Sequence, residues 1–330
     1  MKNTIIIIFL AFLGIGSVSA QTANYEKIIV GAGPEDFVLD NFNGRERLLI
    51  SCAERRKGQE PFAEIMMYDI KRNTVMPIKR SNEPDSMIFN PHGVDLKKVG
   101  DDLLLFVVNH PKPAGDQVLI YEVKDRELIL IRAVQHELFV SLNAVAALDN
   151  GSFYVSNDSG KKGGIFEKLF ALRRANIAFF DAEKESVSIV MDKLAYANGV
   201  ICRDDKLYIS TTQKKDLLET KIMDDGELET LRRFEGVKGM DNLSFHEDYL
   251  LFTAHPKFFK FLRHVKKSQN ASPSEVYQVD LKDGTVKRIF YDDGQLISAA
   301  ATALYYKEQM YIGQVFDNFL LKIPFKIGEK

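Results

Sequence analysis

Asp101-Asp102-Leu103-Leu104-Leu105-Phe106-Val107-Val108-Asn109-His110 joins a polar turn to an apolar, β-rich run and ends on polar residues. The same order returns as Arg45-Glu46-Arg47-Leu48-Leu49-Ile50-Ser51-Cys52, as Asn150-Gly151-Ser152-Phe153-Tyr154-Val155-Ser156-Asn157 and as Asp204-Asp205-Lys206-Leu207-Tyr208-Ile209-Ser210-Thr211. Glu247-Asp248-Tyr249-Leu250-Leu251-Phe252-Thr253-Ala254 and Lys307-Glu308-Gln309-Met310-Tyr311-Ile312-Gly313 complete six copies. Runs this short, rich in aromatic and β-branched residues and bounded by turn residues, read as strands. Their recurrence at roughly 40 to 60 residues is the interval of a propeller blade.

Around each copy lie further strand-like runs. Ile65-Met66-Met67-Tyr68-Asp69 is followed by Val75-Met76-Pro77-Ile78, and Val118-Leu119-Ile120-Tyr121 by Leu128-Ile129-Leu130-Ile131. Val276-Tyr277-Gln278-Val279-Asp280 and Val286-Lys287-Arg288-Ile289 flank Asp283-Gly284, a strong hairpin turn signal. With one shorter run ahead of each copy, every unit holds four strands. After the last copy only Phe319-Leu320-Leu321-Lys322-Ile323 remains, so one strand is lacking. Tyr25-Glu26-Lys27-Ile28-Ile29-Val30 is spare at the other end and can fill that place, covering an open edge. The sequence predicts an all-β, six-bladed β-propeller whose N-terminal strand closes the last blade. Trp is absent, which argues against WD40 repeats.

The chain is 45% hydrophobic and 27% charged, enough for a sizeable core, and its net charge of −2 provides no basic field for nucleic acid. Lys2, an apolar run over residues 5–15 and Val18-Ser19-Ala20 form a cleavable export signal over residues 1–20, leaving residues 21–330 as one propeller domain. The apolar run is shorter than a bilayer span requires. The expected location is the periplasm or the exterior. Cys52 and Cys202 could pair after export or stay as separate thiols.

The innermost strands start at Gly33-Pro34-Glu35-Asp36-Phe37, Asn90-Pro91-His92-Gly93-Val94, Ser141-Leu142-Asn143-Ala144-Val145, Tyr196-Ala197-Asn198-Gly199-Val200, Gly239-Met240-Asp241-Asn242-Leu243 and Ser298-Ala299-Ala300-Ala301-Thr302. Repeats put equivalent positions in equivalent places. Glu35, His92, Asn143, Asn198, Asp241 and Asn242 should therefore ring one mouth of the central channel. Carboxylate and amide oxygens without thiols suit Ca²⁺ and lack the His and Cys ligands typical of zinc. The blander reading is that Asn, Asp and Gly only make the turns into these strands.

Read in order, Gly33-Pro34-Glu35-Asp36, Phe89-Asn90-Pro91-His92-Gly93-Val94, Val107-Val108-Asn109-His110-Pro111, Leu142-Asn143, Ala197-Asn198-Gly199, Asp241-Asn242-Leu243-Ser244 and His255-Pro256 resemble the motifs of the paraoxonase/arylesterase family. That resemblance implies a calcium-dependent hydrolase of lactones and aryl esters. It implies that Glu35, Asn143, Asn198, Asp241 and Asn242 ligate a catalytic calcium, that His92 and His110 form a histidine pair activating water, and that His255 lines the pocket. Asp36 and the Val94 backbone match positions of a second, structural calcium. Ala144 departs from the family pattern there, since it lacks the carboxylate the second site uses. Asp241 or Glu35 is the rival base or nucleophile to His92.

Other chemistries fit less well. Ile28-Ile29-Val30-Gly31-Ala32-Gly33 imitates a dinucleotide fingerprint, but Asn41-Phe42-Asn43-Gly44 reads as a turn where a helix is required. No Gly-x-Ser-x-Gly elbow is present. Residues 166–174 and the basic, aromatic residues 256–264 read as loops or helices over the propeller top, with peripheral membrane contact as the sharper alternative. His136, His246 and His264 are expected in solvated loops. The expected partner is a small lactone or ester. A sugar-lactonase relative and a non-catalytic, calcium-stabilised binding platform are the alternative functions.

Overall fold

The computed structural model describes residues 24–162 and 164–326. The export-signal reading of residues 1–20 lies outside the described residues. Within them no helix is long and apolar enough to cross a membrane.

Six sheets, antiparallel but for one added edge strand, surround a central tunnel, and each is a blade. Their innermost strands are Pro34–Asp40, Pro91–Val99, Leu142–Ala147, Ala197–Arg203, Met240–His246 and Ala300–Tyr306. Each packs against the next in chain order, and the last returns to the first. The six repeat copies form the second strands, from Arg47–Ala53 to Gln309–Gln314. Leu48, Leu49, Ile50, Leu105, Phe106, Phe153 and Phe252 in these strands are fully or almost fully buried between blades. They are apolar on both faces because a sheet packed between two neighbours has no solvent face.

Ring closure follows the sequence expectation. Glu26–Ile29 pairs antiparallel with Phe319–Pro324, Ile28 opposite Leu320, and completes the sixth blade. The imitation fingerprint is thus a closing strand followed by a turn, with Gly33 at φ 58°. One blade exceeds the expected four strands. Lys79–Ser81 adds in parallel to Glu127–Gln135, and Arg80 binds Glu83 and Glu64 beside it. Cys52 and Cys202 are both unpaired, and burial pushes both thiols up.

The innermost strands share one irregularity. In every blade the register with the second strand shifts near the strand start: Pro34/Asp36, Pro91/Val94, Leu142/Val145, Ala197/Val200, Met240/Leu243 and Ala300/Ala303. A bulge re-aims side chains and frees backbone groups from the ladder. Glu35, His92, Asn143, Asn198 and Asp241 all sit in these bulges. The freed carbonyls are satisfied from the preceding blade, by Ser156 Oγ to Asn198 O at 2.6 Å, Ser210 Oγ to Asp241 O at 2.8 Å and Thr253 Oγ1 to Ala301 O at 2.6 Å. The small polar residues ending the repeat copies therefore lock one blade's bulge to the next. Neighbouring bulges approach so closely that a Cβ at Gly93 would lie 2.5 Å from Asn143 O, and one at Gly199 2.8 Å from Asp241 O. Glycine is required at both positions.

Candidate active site

At the end of the tunnel where the inner strands begin lies a cavity of about 240 Å³. Its floor holds Glu35, Asn143, Asn198 and Asp241, from four blades, each at most 6% exposed. His92 borders this floor and His255 stands on its wall. Asn242, also expected among the ligands, lines the cavity on the far side of the floor and donates Nδ2 to Thr302 Oγ1 at 3.0 Å.

The floor is short of internal partners. Asn198 donates Nδ2 to Thr212 Oγ1 at 3.0 Å, while its Oδ1 is buried with no hydrogen bond. An orphaned buried carbonyl costs free energy unless something binds it. Together with two carboxylates and the Asn143 amide it makes a set of hard oxygen donors, which fits Ca²⁺. Among the described residues no three His, Cys, Asp or Glu cluster in metal-holding geometry, so any metal here relies on the amides.

At the positions implied for a second calcium, the Asp36 carboxylate already has partners within the chain. Both oxygens of Asp36 accept from the backbone, Oδ1 from Phe37 N–H at 3.0 Å and Oδ2 from Val94 N–H at 2.8 Å, and Thr302 Oγ1 shares its one proton between Asp36 Oδ1 at 2.9 Å and Glu35 O at 2.8 Å. Val94 thus presents its N–H to the carboxylate, and Ala144 has no side-chain oxygen. Burial, opposed by these donors, pushes Asp36 up to about 7.

The acids on the floor differ. Burial works against ionisation of Glu35, but Arg55 and His92 outweigh it and hold the carboxyl well below its usual range. Arg55 binds Glu35 Oε2 through Nε and also donates to Ala53 O at 3.2 Å. Burial raises Asp241 against the opposing pull of His255, whose Nε2 lies 2.8 Å from Asp241 Oδ2. The His255 ring also packs on Phe261, centroids 4.6 Å apart.

His92 and His110 meet edge to face, Nδ1 to Nε2 at 3.1 Å. His110 Nδ1 lies 3.1 Å from Asp116 Oδ1, and His92 Nε2 lies 3.1 Å from Glu35 Oε1. The latter contact sets the ring edge of His92 against the Glu35 carboxylate, which favours a proton on Nε2. Burial lowers His110 against the pull of Asp116, favouring the neutral ring. The Asp116 carboxylate favours its proton on Nδ1. His110 Nε2 then accepts from His92 Nδ1–H, and His92 Nε2 is left to take up a proton against Glu35 Oε1.

The remaining walls divide by chemistry. Phe258, Phe261, Val265, Val315 and Phe316 form an apolar side. Arg55, Asp158, Lys168 and Tyr196 form a polar one. Lys168 pairs with Asp158, which also accepts from Ser141 Oγ at 2.6 Å and Ser159 Oγ at 2.9 Å. Two short helices carry parts of both sides: Ile165–Leu169 brings Lys168, and Phe258–Lys266 brings Phe258 and Phe261. The first covers only the start of residues 166–174, and the second falls on the basic, aromatic residues 256–264. Phe166 and Phe170 stack in parallel and are exposed, as is Phe259. His264, expected in a solvated loop, is instead buried in the second helix between Asn270 O and the Arg56 guanidinium. His246 ends an inner strand against Tyr305.

Arg55, Asp116, Asp158, Lys168 and Tyr196 were not singled out from the sequence. Tyr196 alone carried a usable signal, as the residue opening an inner strand. The others reach the site from loops or helices outside the repeat.

Solved structures share the architecture. A gluconolactonase from Xanthomonas campestris superposes with a TM-score of 0.59 at 12% identity, covering 92% of this chain and 89% of that one. The periplasmic gluconolactonase of Pseudomonas aeruginosa gives 0.51 at 12% identity, covering 88% and 85%. At such identities the likeness is one of fold. In sequence, dog serum paraoxonase/arylesterase 2 is 26% identical over 273 residues, 78% of this chain and 75% of that protein. Human serum paraoxonase/lactonase 3 is 25% identical over 248 residues, 72% and 69% respectively. The family profile described as Arylesterase matches residues 57–322. With a propeller closed by its first strand and a profile match spanning most of the chain, the protein belongs to the paraoxonase/arylesterase family.

Proposed function

We propose that this propeller is an exported, calcium-dependent hydrolase of lactones and aryl esters. The observation that carries the reading is the orphaned Oδ1 of Asn198 on a floor shared with Glu35, Asn143 and Asp241, next to a histidine whose Nε2 is left to take up a proton. Ca²⁺ bound by these four residues would supply Lewis-acid polarisation of the substrate carbonyl. His92 Nε2 takes a proton from the attacking water, and Glu35 Oε1 at 3.1 Å stabilises the ring as it becomes cationic. His110 and Asp116 hold His92 in the reactive tautomer. His255 fixes Asp241 by its 2.8 Å contact, so that Asp241 keeps one orientation on the floor. The phenylalanine side excludes water around the aryl or alkyl part of the substrate. Export is supported by the charge, apolar run and small residues of the N-terminal sequence.

The test is a pair of variants measured for both turnover and calcium. His92→Gln should lower kcat on phenyl acetate by on the order of 10²- to 10³-fold while leaving calcium affinity near wild type. Asp241→Ala should weaken calcium and abolish turnover together. Full activity in His92→Gln would remove the histidine from the base role and transfer it to a floor carboxylate.

A further inference from the structure

Tyr196 stands where the chain enters the fourth inner strand, with φ at 62°. Three of the five residues preceding the other inner strands share this conformation, and Asn90 and Ser141 do not. Gly33 and Gly239 occupy it at φ 58° and 83°, and Ala299 at 57°. Glycine meets such a turn without strain, whereas a bulky side chain in the left-handed region is an outlier. Strain of this kind is retained where the surrounding structure and function require the side chain.

The phenol is placed for use. Tyr196 lines the cavity with Glu35, Asn198 and Asp241. The Lys168 ammonium lies 4.8 Å from its ring centroid, held there by Asp158. Tyr68, Tyr121, Tyr154 and Tyr277 each donate their hydroxyl to an acceptor in the chain. The Tyr196 hydroxyl has no such partner among the described residues. A strained tyrosine, polarised by a cation and with an uncommitted O–H, is a hydrogen-bond donor facing the substrate volume.

We infer that Tyr196 is a catalytic residue, donating its O–H to the leaving oxygen of the ester or lactone. The inference rests on the hydrolase reading above and deepens it. Water adds to the carbonyl carbon as its proton passes to the base. The bond from that carbon to the leaving oxygen then breaks, and the electron pair stays on the oxygen. Tyr196 keeps its own proton and stabilises this developing charge by a hydrogen bond, while the proton taken from water completes the alcohol. The contribution grows with the charge the leaving oxygen bears, so it is largest for alkyl alkoxides and smallest for delocalised phenolates.

Tyr196→Phe in the calcium-loaded full chain tests this, since it keeps the ring and its contact with Lys168. Acetate esters with leaving groups from 4-nitrophenol through phenol to simple alcohols, together with δ-valerolactone, supply the series. For alkyl esters and the lactone, kcat/KM should fall on the order of 10²-fold, several times more than for the aryl esters, so that the dependence on leaving-group basicity steepens. Calcium affinity should stay within about twofold of wild type, a magnitude that marks intact ligand geometry. An equal fall across the series, or none, would overturn the role of Tyr196 while the wild-type rates leave the hydrolase reading standing. A wild type inert on every member would remove both.

Discussion

Arg55 grips Glu35 through Nε on Oε2, the oxygen opposite the one that faces His92. A carboxylate on the metal floor is therefore shared with a half-buried guanidinium, and two opposed demands meet on one side chain. The guanidinium keeps Glu35 ionised and aimed, but its charge competes with any cation bound there. Arg55→Met should tighten calcium binding on the order of tenfold, read by competition with a fluorescent chelator. Weaker binding in the variant would mean that Arg55 chiefly positions Glu35.

Asp116 governs the histidine pair from the far end. Its carboxylate, 3.1 Å from His110 Nδ1, favours the protonated ring, and burial opposes it. Removing that charge lowers the affinity of the coupled pair for a proton. In Asp116→Asn the acidic limb of kcat/KM should move to lower pH by about one unit, since the base now stays unprotonated further into acid. The plateau should also fall severalfold as His110 loses its preferred tautomer. A fall without movement of the limb would separate Asp116 from the base.

The chain should hold one calcium. Asp36 accepts from Phe37 N–H and Val94 N–H and shares the Thr302 proton with Glu35 O, and Ala144 brings no side-chain oxygen to that part of the tunnel. Native mass spectrometry of protein dialysed against micromolar calcium should show a single bound ion. Two tightly held ions would mean that Asp36 and the Val94 carbonyl rearrange to form the second site.

The propeller was legible because its signals are local: a turn, an apolar run and small polar residues, repeated six times. The bulge residues Glu35, His92, Asn143, Asn198 and Asp241 were legible for the same reason, since equivalent strand starts place them together. Asn242 shows the limit of that reasoning. It shares the bulge with Asp241, yet it lines the cavity on the other side of the floor, and strand position alone does not say which mouth its amide oxygen serves. Lys79–Ser81 was missed because its parallel pairing depends on Glu127–Gln135, far along the chain. Arg55, Asp116 and Lys168 were missed because each arrives from a segment outside the repeat, where only blade packing fixes its place. His264 looked solvated because nothing local reveals that Arg56 and Asn270 enclose it.

The central claim is that calcium on the floor of Glu35, Asn143, Asn198 and Asp241 is required for ester and lactone hydrolysis. The most direct measurement is turnover of phenyl acetate and a small lactone panel by the purified mature protein, with calcium, after chelation and after calcium is restored. The account predicts activity that disappears with the chelator and returns with Ca²⁺. Folded, calcium-loaded protein that hydrolyses none of these substrates would contradict it and favour a propeller that binds without catalysis.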